Sequence, residues 1–532
     1  MATQLGGMVV ALGLLASAPW TMGNGQAQSG KKDVPPAAKM DSAALAKVID
    51  QHINARLKEE GLKPSSNSDD GEFLRRVYLD LIGVIPPSEK VVAFLDSTDP
   101  NKRAKLIDEL LEHPRFGTYL GEMWAGMLLP RESNNRRLDH RPMQAWLADS
   151  FKNNKPLDKM VYDLLTAVGT QQANGAATYF ILNPTADKIT DNVTQMFLGV
   201  RLQCAQCHNH PFVEIKQNDY WGMAAFFTKT RVSLNPKAAA KQGAQVSVFE
   251  GAAPPKGKRS NLPQGAKIVP AKFLQGEQPK LDPKEPYRPV LAKWITSPSN
   301  PFFAKAMVNR AWYQLFGRGI VNPVDDMHEG NFPSHPELLV QLTEQFKAND
   351  FDLKYLYRAI CNSQAYQRTS RPVGDNKGDK EFYSHAAVRS LSPEQLYDSL
   401  TAVVGNPGKD MPKGPKNNFR KGPASPRDAF LSFFRIDEGA NPLEYQSGIP
   451  QALRLMNSPQ LAGAAALNRI LSESKEPAQI LEKLYIATLS RRPTTQERQR
   501  LVDYVGRQAD LRTGFSDVLW ALLNSSEFGL NH

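Results

Sequence analysis

Cysteine is scarce in this chain. Three occur in 532 residues: Cys204, Cys207 and Cys361. A fold stapled by disulfides would carry more, in even number, so the protein must stand on its hydrophobic cores. No apolar run is long enough to cross a bilayer. A glycine-rich phosphate loop before a helix, a nucleophile elbow and a His-Glu-x-x-His pair are all missing, which leaves the familiar hydrolase chemistries without support. There is no internal repeat. A basic stripe is also lacking. The net charge of +11 is scattered among acidic residues, so it reads as a solvated surface, and nucleic acid is not an expected partner.

Charge is absent from the first thirty residues as well, and there the absence is informative. Met8–Trp20 (MVVALGLLASAPW) is an apolar run of signal-peptide length. Small-residue cleavage sites follow at Ala16-Ser17-Ala18 or Gly25-Gln26-Ala27. The stretch before the run lacks the usual Lys or Arg. Residues 1–30 are read as a signal peptide, which places the mature protein in the periplasm or at the cell surface.

Length and a 41% apolar content predict more than one packed domain. The fold class is mainly α: two helical domains joined by a Pro/Gly/Lys-rich segment with a small β-hairpin. The first domain is placed at residues 41–232. Asp41 is a candidate N-cap for a helix through Arg56, and Phe73, Val77, Tyr78 and Leu81 recur at helical spacing up to Gly83. Further helices fit Ser88–Leu95, Asn101–Glu112, Tyr119–Leu128 and Met143–Asn153. Residues 233–288 form the linker, with β-like pieces at Val246–Phe249 and Lys267–Phe273. The second domain, 289–532, shows helical periodicity at Val290–Thr296, Pro301–Phe316 and Pro336–Ala348, and again at Ala478–Leu489, Thr495–Arg507 and Gly514–Ser525. Residues 405–426 read as a surface loop.

The sharpest chemical feature is Cys204-Ala205-Gln206-Cys207-His208. Val193, Met196, Phe197, Val200, Cys204 and Cys207 fall on one helical face, with Asp191 as a cap and Pro211 as the stop. Two thiols one turn apart match thioether links to the two vinyl groups of haem c, and His208 would be the proximal iron ligand. Haem c is attached after export, so motif and compartment agree. Two other readings remain open. One is a Cys/His metal site such as zinc, with His210 as a further ligand. The other is a disulfide or a pair of buried thiols. Candidates for a second axial ligand are Met196, Met223, His140, His328, His335 and His385.

Other residues invite a role. Asp325, Asp326, His328 and Glu329 form an acidic loop that could hold a divalent cation or serve as an acid/base pair in a metal-dependent enzyme. A solvated or capping turn is the blander reading. Arg76 and Asp80 are spaced for an ion pair within one helix. Asn309, Arg310 and Trp312 lie in an apolar helix, where buried polar groups need partners; they either lock helices together or line a pocket, and the structural role is the preferred reading.

Several segments together resemble a known family. In the first domain these are Phe73–Pro87 (FLRRVYLDLIGVIPP), Leu106–Gly117 (LIDELLEHPRFG) and Arg201–Phe227 (RLQCAQCHNHPFVEIKQNDYWGMAAFF). In the second they are Asn300–Asp326 (NPFFAKAMVNRAWYQLFGRGIVNPVDD), Pro333–Leu339, Ser363–Ser370, Ile449–Ser458 and Ala521–His532. They resemble exported planctomycete proteins that pair a planctomycete cytochrome-C-like domain with a C-terminal planctomycete domain of unknown function. The resemblance implies export and one Cys-x-x-Cys-His site, but no reaction. An extracytoplasmic redox partner is expected if haem is bound, and an acidic polysaccharide if the protein is a cell-surface binding or scaffold component.

Overall fold

The computed structural model describes residues 38–130, 139–209, 214–235, 245–251, 261–404, 425–434 and 465–532. The signal-peptide reading, His210, Pro211 and most of the 405–426 loop lie outside the described residues. Ala38–His532 form one compact unit, which is mainly helical with a small antiparallel sheet. No described helix is long and apolar enough to cross a membrane.

Local signals place the first helices well. α1 (Ser42–Glu59) starts where Asp41 accepts a hydrogen bond from the Ala44 amide at 2.7 Å. α2 (Asp70–Ile82) ends at Gly83 in the left-handed conformation. α3 (Ser88–Asp96), α4 (Lys102–Glu112), α5 (Pro114–Leu128) and α6 (Arg141–Lys152) follow. α5 begins earlier than its periodicity suggests, because Pro114 is well suited to the first helical turn. A Cβ on Gly117 would lie 2.4 Å from the Ala148 carbonyl oxygen, so the lack of a side chain is what lets α5 and α6 pack so closely.

The chain continues through α7 (Leu157–Leu165), β1 (Gly169–Thr170), α8 (Thr178–Leu182), α9 (Ala186–Val193) and α10 (Gln217–Ala224) to β2 (Thr230–Asn235) and β3 (Gln245–Glu250). The sheet order is β1-β3-β2, with β2 and β3 antiparallel from Thr230↔Glu250 to Asn235↔Gln245. The strand expected at Val246–Phe249 is present, but its partners are β2 and β1. Lys267–Phe273 is not a strand; its end is drawn inward instead, with Phe273 stacked between Phe226 and Trp294.

In the second half come α11 (Arg288–Ile295), α12 (Phe303–Phe316), α13 (Pro336–Ala348), α14 (Leu353–Asn362), α15 (Gln364–Gln367), β4 (Arg389–Ser390), α16 (Pro393–Val404) and α17 (Pro426–Phe434). They are followed by α18 (Ala465–Glu473), α19 (Pro477–Leu489), α20 (Thr495–Val505), α21 (Leu511–Leu523), α22 (Ser526–Gly529) and β5 (Leu530–Asn531). One continuous core joins Leu45, Phe73, Leu120 and Phe197 to Trp312, Phe346 and Leu356. A second core gathers α16 to α22 and takes Leu79 and Ile85 from the first half.

α2 is buried on nearly every side, and its polar residues form a network. Arg76 pairs with Glu72 at 2.7 Å, not with Asp80. Asp80 instead accepts from Arg389 at 2.7 Å, Asn531 at 2.7 Å and the Tyr366 hydroxyl at 2.9 Å. The correction has a simple cause: tertiary neighbours bring a second guanidinium to Asp80, and Arg76 turns to the Tyr366 and Arg368 carbonyls.

His335, at the start of α13, is buried against Tyr383 and Phe382, with Ser334 Oγ 3.0 Å from its Nδ1. Burial, with Arg56 and His52 nearby, pulls its pKa down to about 4. Between the ordinary value near 6.5 and this value, the unfolded chain binds a proton that the folded chain refuses. Stability therefore falls as pH drops through that window, by up to about 3 kcal/mol. Denaturant unfolding at about pH 7 and about pH 4.5 should show this loss, and His335→Gln should remove most of it.

Candidate functional site: the Cys-x-x-Cys-His turn

The segment that leads to Cys204 does not continue as one helix. α9 begins after Thr185, so Asp191 lies within it and caps nothing. The helix widens into a π-turn at Thr194–Leu198 and stops at Gly199, whose φ is 67°. That left-handed residue ends the helical face on which the cysteines were expected. Cys204 therefore sits on a separate 3-10 turn, Gln203–Gln206, with Cys207 directly after it. Leu202 and Ala205 point into the core, while both thiols are exposed and unbridged. The predicted apolar placement of the thiols is thus overturned. Spacing of three survives in the tighter turn, but the turn presents its cysteines outward.

Neighbouring elements hold this short turn. Gln217 Nε2, at the start of α10, donates to the Gln206 carbonyl at 2.9 Å and to the Cys207 carbonyl at 3.0 Å. One helical turn on, Trp221 Nε1 donates to the Gln206 carbonyl at 3.2 Å. The Gln217 amide donates to Asn209 Oδ1 at 3.0 Å. These contacts were not legible beforehand, since side-chain amides that meet backbone carbonyls leave no spacing pattern.

His208 is exposed, and its Nδ1 lies 2.7 Å from the Asn209 carbonyl oxygen. A carbonyl only accepts, so Nδ1 is the donor, and in the neutral ring Nε2 is the nitrogen left for a ligand role. This is the tautomer that a metal-ligating imidazole uses. Below the turn, burial pushes the Asp191 carboxyl up to about 6; the Tyr220 hydroxyl opposes this and Asp187 adds to it.

On the other side, the second half of the chain grips the approach to the turn. Asp325 accepts from Arg201 Nε at 2.9 Å and Nη2 at 2.6 Å, and from the Gln195 amide. The Met327 amide donates to the Gly199 carbonyl at 2.8 Å. A Cβ at Gly199 would meet the Met327 sulfur and Ala306 Cβ at 3.2 Å. Asp325 is thus a buried structural carboxylate, while His328 Nε2 lies 3.8 Å from Asp326, within ion-pair distance, and Glu329 is exposed. Among the described residues no group of three or more His, Cys, Asp and Glu side chains gathers to hold a metal ion. Asn309 binds the Val321 amide and the Val321 and Val324 carbonyls at 2.8–3.1 Å and locks the loop to its helix, whereas Arg310 reaches the Gln195 carbonyl and lines a cleft.

Of the proposed second axial ligands, Met196, Met223 and His335 are buried in the core. Met223 stands two residues from Trp221, so it faces away from the turn. His140 lies at the start of α6, and His385 lies 3.2 Å from Ser384 Oγ. His328 accepts from the Gly330 amide at 3.0 Å, in the loop joined to Gly199.

The fold and site define a helical protein that displays an unbridged Cys-x-x-Cys-His turn on its surface. Residues 48–232 match the family model described as PSCyt2, protein of unknown function (DUF1549), and residues 287–427 match PSD1, protein of unknown function (DUF1553). The chain therefore pairs these two domains. Comparison with curated proteins and with solved structures gave no match.

Proposed function

We propose that this is an exported c-type haem protein that works in electron transfer or a haem-dependent redox step. The observation that carries the reading is the donor set of one turn: two exposed, unbridged thiols at the required spacing, then an imidazole whose Nδ1 proton is engaged and whose Nε2 is available. Cys204 and Cys207 would hold haem through thioethers, and His208 would ligate its iron. Haem, when bound, supplies a one-electron couple. The chain's own part is to fix the turn, through Gln217 and Trp221 on one side and Asp325 with Arg201 on the other. Exposure of the turn supports exchange with an extracytoplasmic redox partner. The uncharged apolar N-terminus supports export.

The test is the visible spectrum and intact mass of the protein exported from a host that matures a control cytochrome. A reduced-minus-oxidised haem spectrum, with the mass of one covalent haem, is expected. Colourless protein of apo mass would overturn the reading and favour a cell-surface binding role, which salt-sensitive binding to an acidic polysaccharide would then examine.

A further inference from the structure

Arg310 lies in the middle of α12 and is buried. Its guanidinium is poorly partnered. Nη2 donates to the Gln195 carbonyl at 3.2 Å, and Nη1 is 3.8 Å from the Met127 sulfur. Nε has no partner among the described residues. Asp325 is the carboxylate whose charge it feels, but that carboxylate is already bonded by Arg201 and Gln195.

Two other buried arginines also keep N–H groups without a hydrogen bond among the described residues, Nε of Arg75 and Nε and Nη2 of Arg288, but each has two carbonyl acceptors where Arg310 has one. Arg75 donates to the Thr488 and Phe528 carbonyls at 3.0 and 2.7 Å and stacks on the Phe528 ring. Arg288 donates to Ala167 at 2.9 Å and pairs with Glu250 at 3.4 Å. Arg310 has the weakest set of the three, although a buried charge calls for a counter-charge.

Arg310 also lines a cleft, with Trp124, Met127, Met307, Gln314 and Tyr357 around it. The cleft admits a particle of about one water's size. Its methionines are soft and adaptable, so the walls can adjust around a slightly larger sphere.

We propose that this cleft is a binding site for one small monovalent inorganic anion, chloride in the first instance. The guanidinium supplies positive charge and an open N–H, and the cleft's size excludes sulfate, phosphate and organic carboxylates. The site does not depend on haem.

The experiment is thermal unfolding of the full chain in sodium chloride and in sodium gluconate at equal ionic strength, which holds screening constant. A saturable upward shift of about 2–4 °C in chloride is expected, because a ligand that binds only the folded state stabilises it. Arg310→Met should abolish the difference. Identical curves in the two salts would overturn the proposal. A bromide-soaked crystal gives a second reading that needs no variant. An anomalous peak in the cleft beside the Arg310 guanidinium is expected, and water at that place under saturating bromide would overturn the assignment.

Discussion

Asp80→Ala is expected to lower the unfolding free energy by about 3–5 kcal/mol, the size seen when one partner of a buried ion pair is removed. Asp80 is 2% exposed and accepts from Arg389, Asn531 and Tyr366. Its loss leaves the Arg389 guanidinium without its carboxylate and strands two further donors in a water-poor interior. Asp80→Asn should cost less, since it keeps the shape and one acceptor oxygen while giving up the charge. Lys39→Ala supplies the contrast. That residue pairs with Asp350 in an exposed ion pair, and its removal should change stability by less than about 1 kcal/mol. Denaturant midpoints at unchanged slope measure all three. A drop below about 1 kcal/mol for Asp80→Ala would show that this network does not join α2 to β4 and β5 in the way described.

The other large effect falls on the Cys-x-x-Cys-His turn. In haem-free folded protein, Cys204 and Cys207 should react rapidly with a thiol reagent while Cys361 stays protected. Cys361 is fully buried, and burial pushes its thiol well above the ordinary range. The contrast should exceed about 1000-fold in rate, because labelling Cys361 requires an opening of the core. In the matured protein the same two thiols should be blocked. Cys204→Ser combined with Cys207→Ser should then return the mass to that of the polypeptide alone, and His208→Ala should abolish or strongly shift the low-spin spectrum. Covalent haem that persists in the double variant would place attachment elsewhere. An unchanged spectrum in His208→Ala would remove that imidazole from the iron.

Much of this architecture was readable because it rests on local rules. Asp41 and Gly83 mark helix ends through side-chain capping and a left-handed backbone, and both operate within a few residues. Pro336–Ala348 was legible to the residue because proline sets the first turn and the apolar residues repeat at helical spacing. Reading failed where the partner is remote in sequence. Arg76 and Asp80 are correctly spaced for each other, yet each finds a better partner brought in by the fold. The strand at Val246–Phe249 was visible, but its pairing with β2 was decided by register across the sheet.

The same division runs through the site. Residue type and spacing already specify which atoms Cys204, Cys207 and His208 offer and how far apart they lie along the chain, and periodicity specifies that the surrounding fold is helical. Packing sets the rest: Gly199 ends the helix, the thiols face outward, and His208 Nδ1 lies against the Asn209 carbonyl. It also turned Asp325 from a candidate metal ligand into the anchor of Arg201. The physical reason is range. Capping, periodicity and motif spacing act over one or two helical turns, whereas burial and ion pairing depend on groups that meet only when distant segments pack.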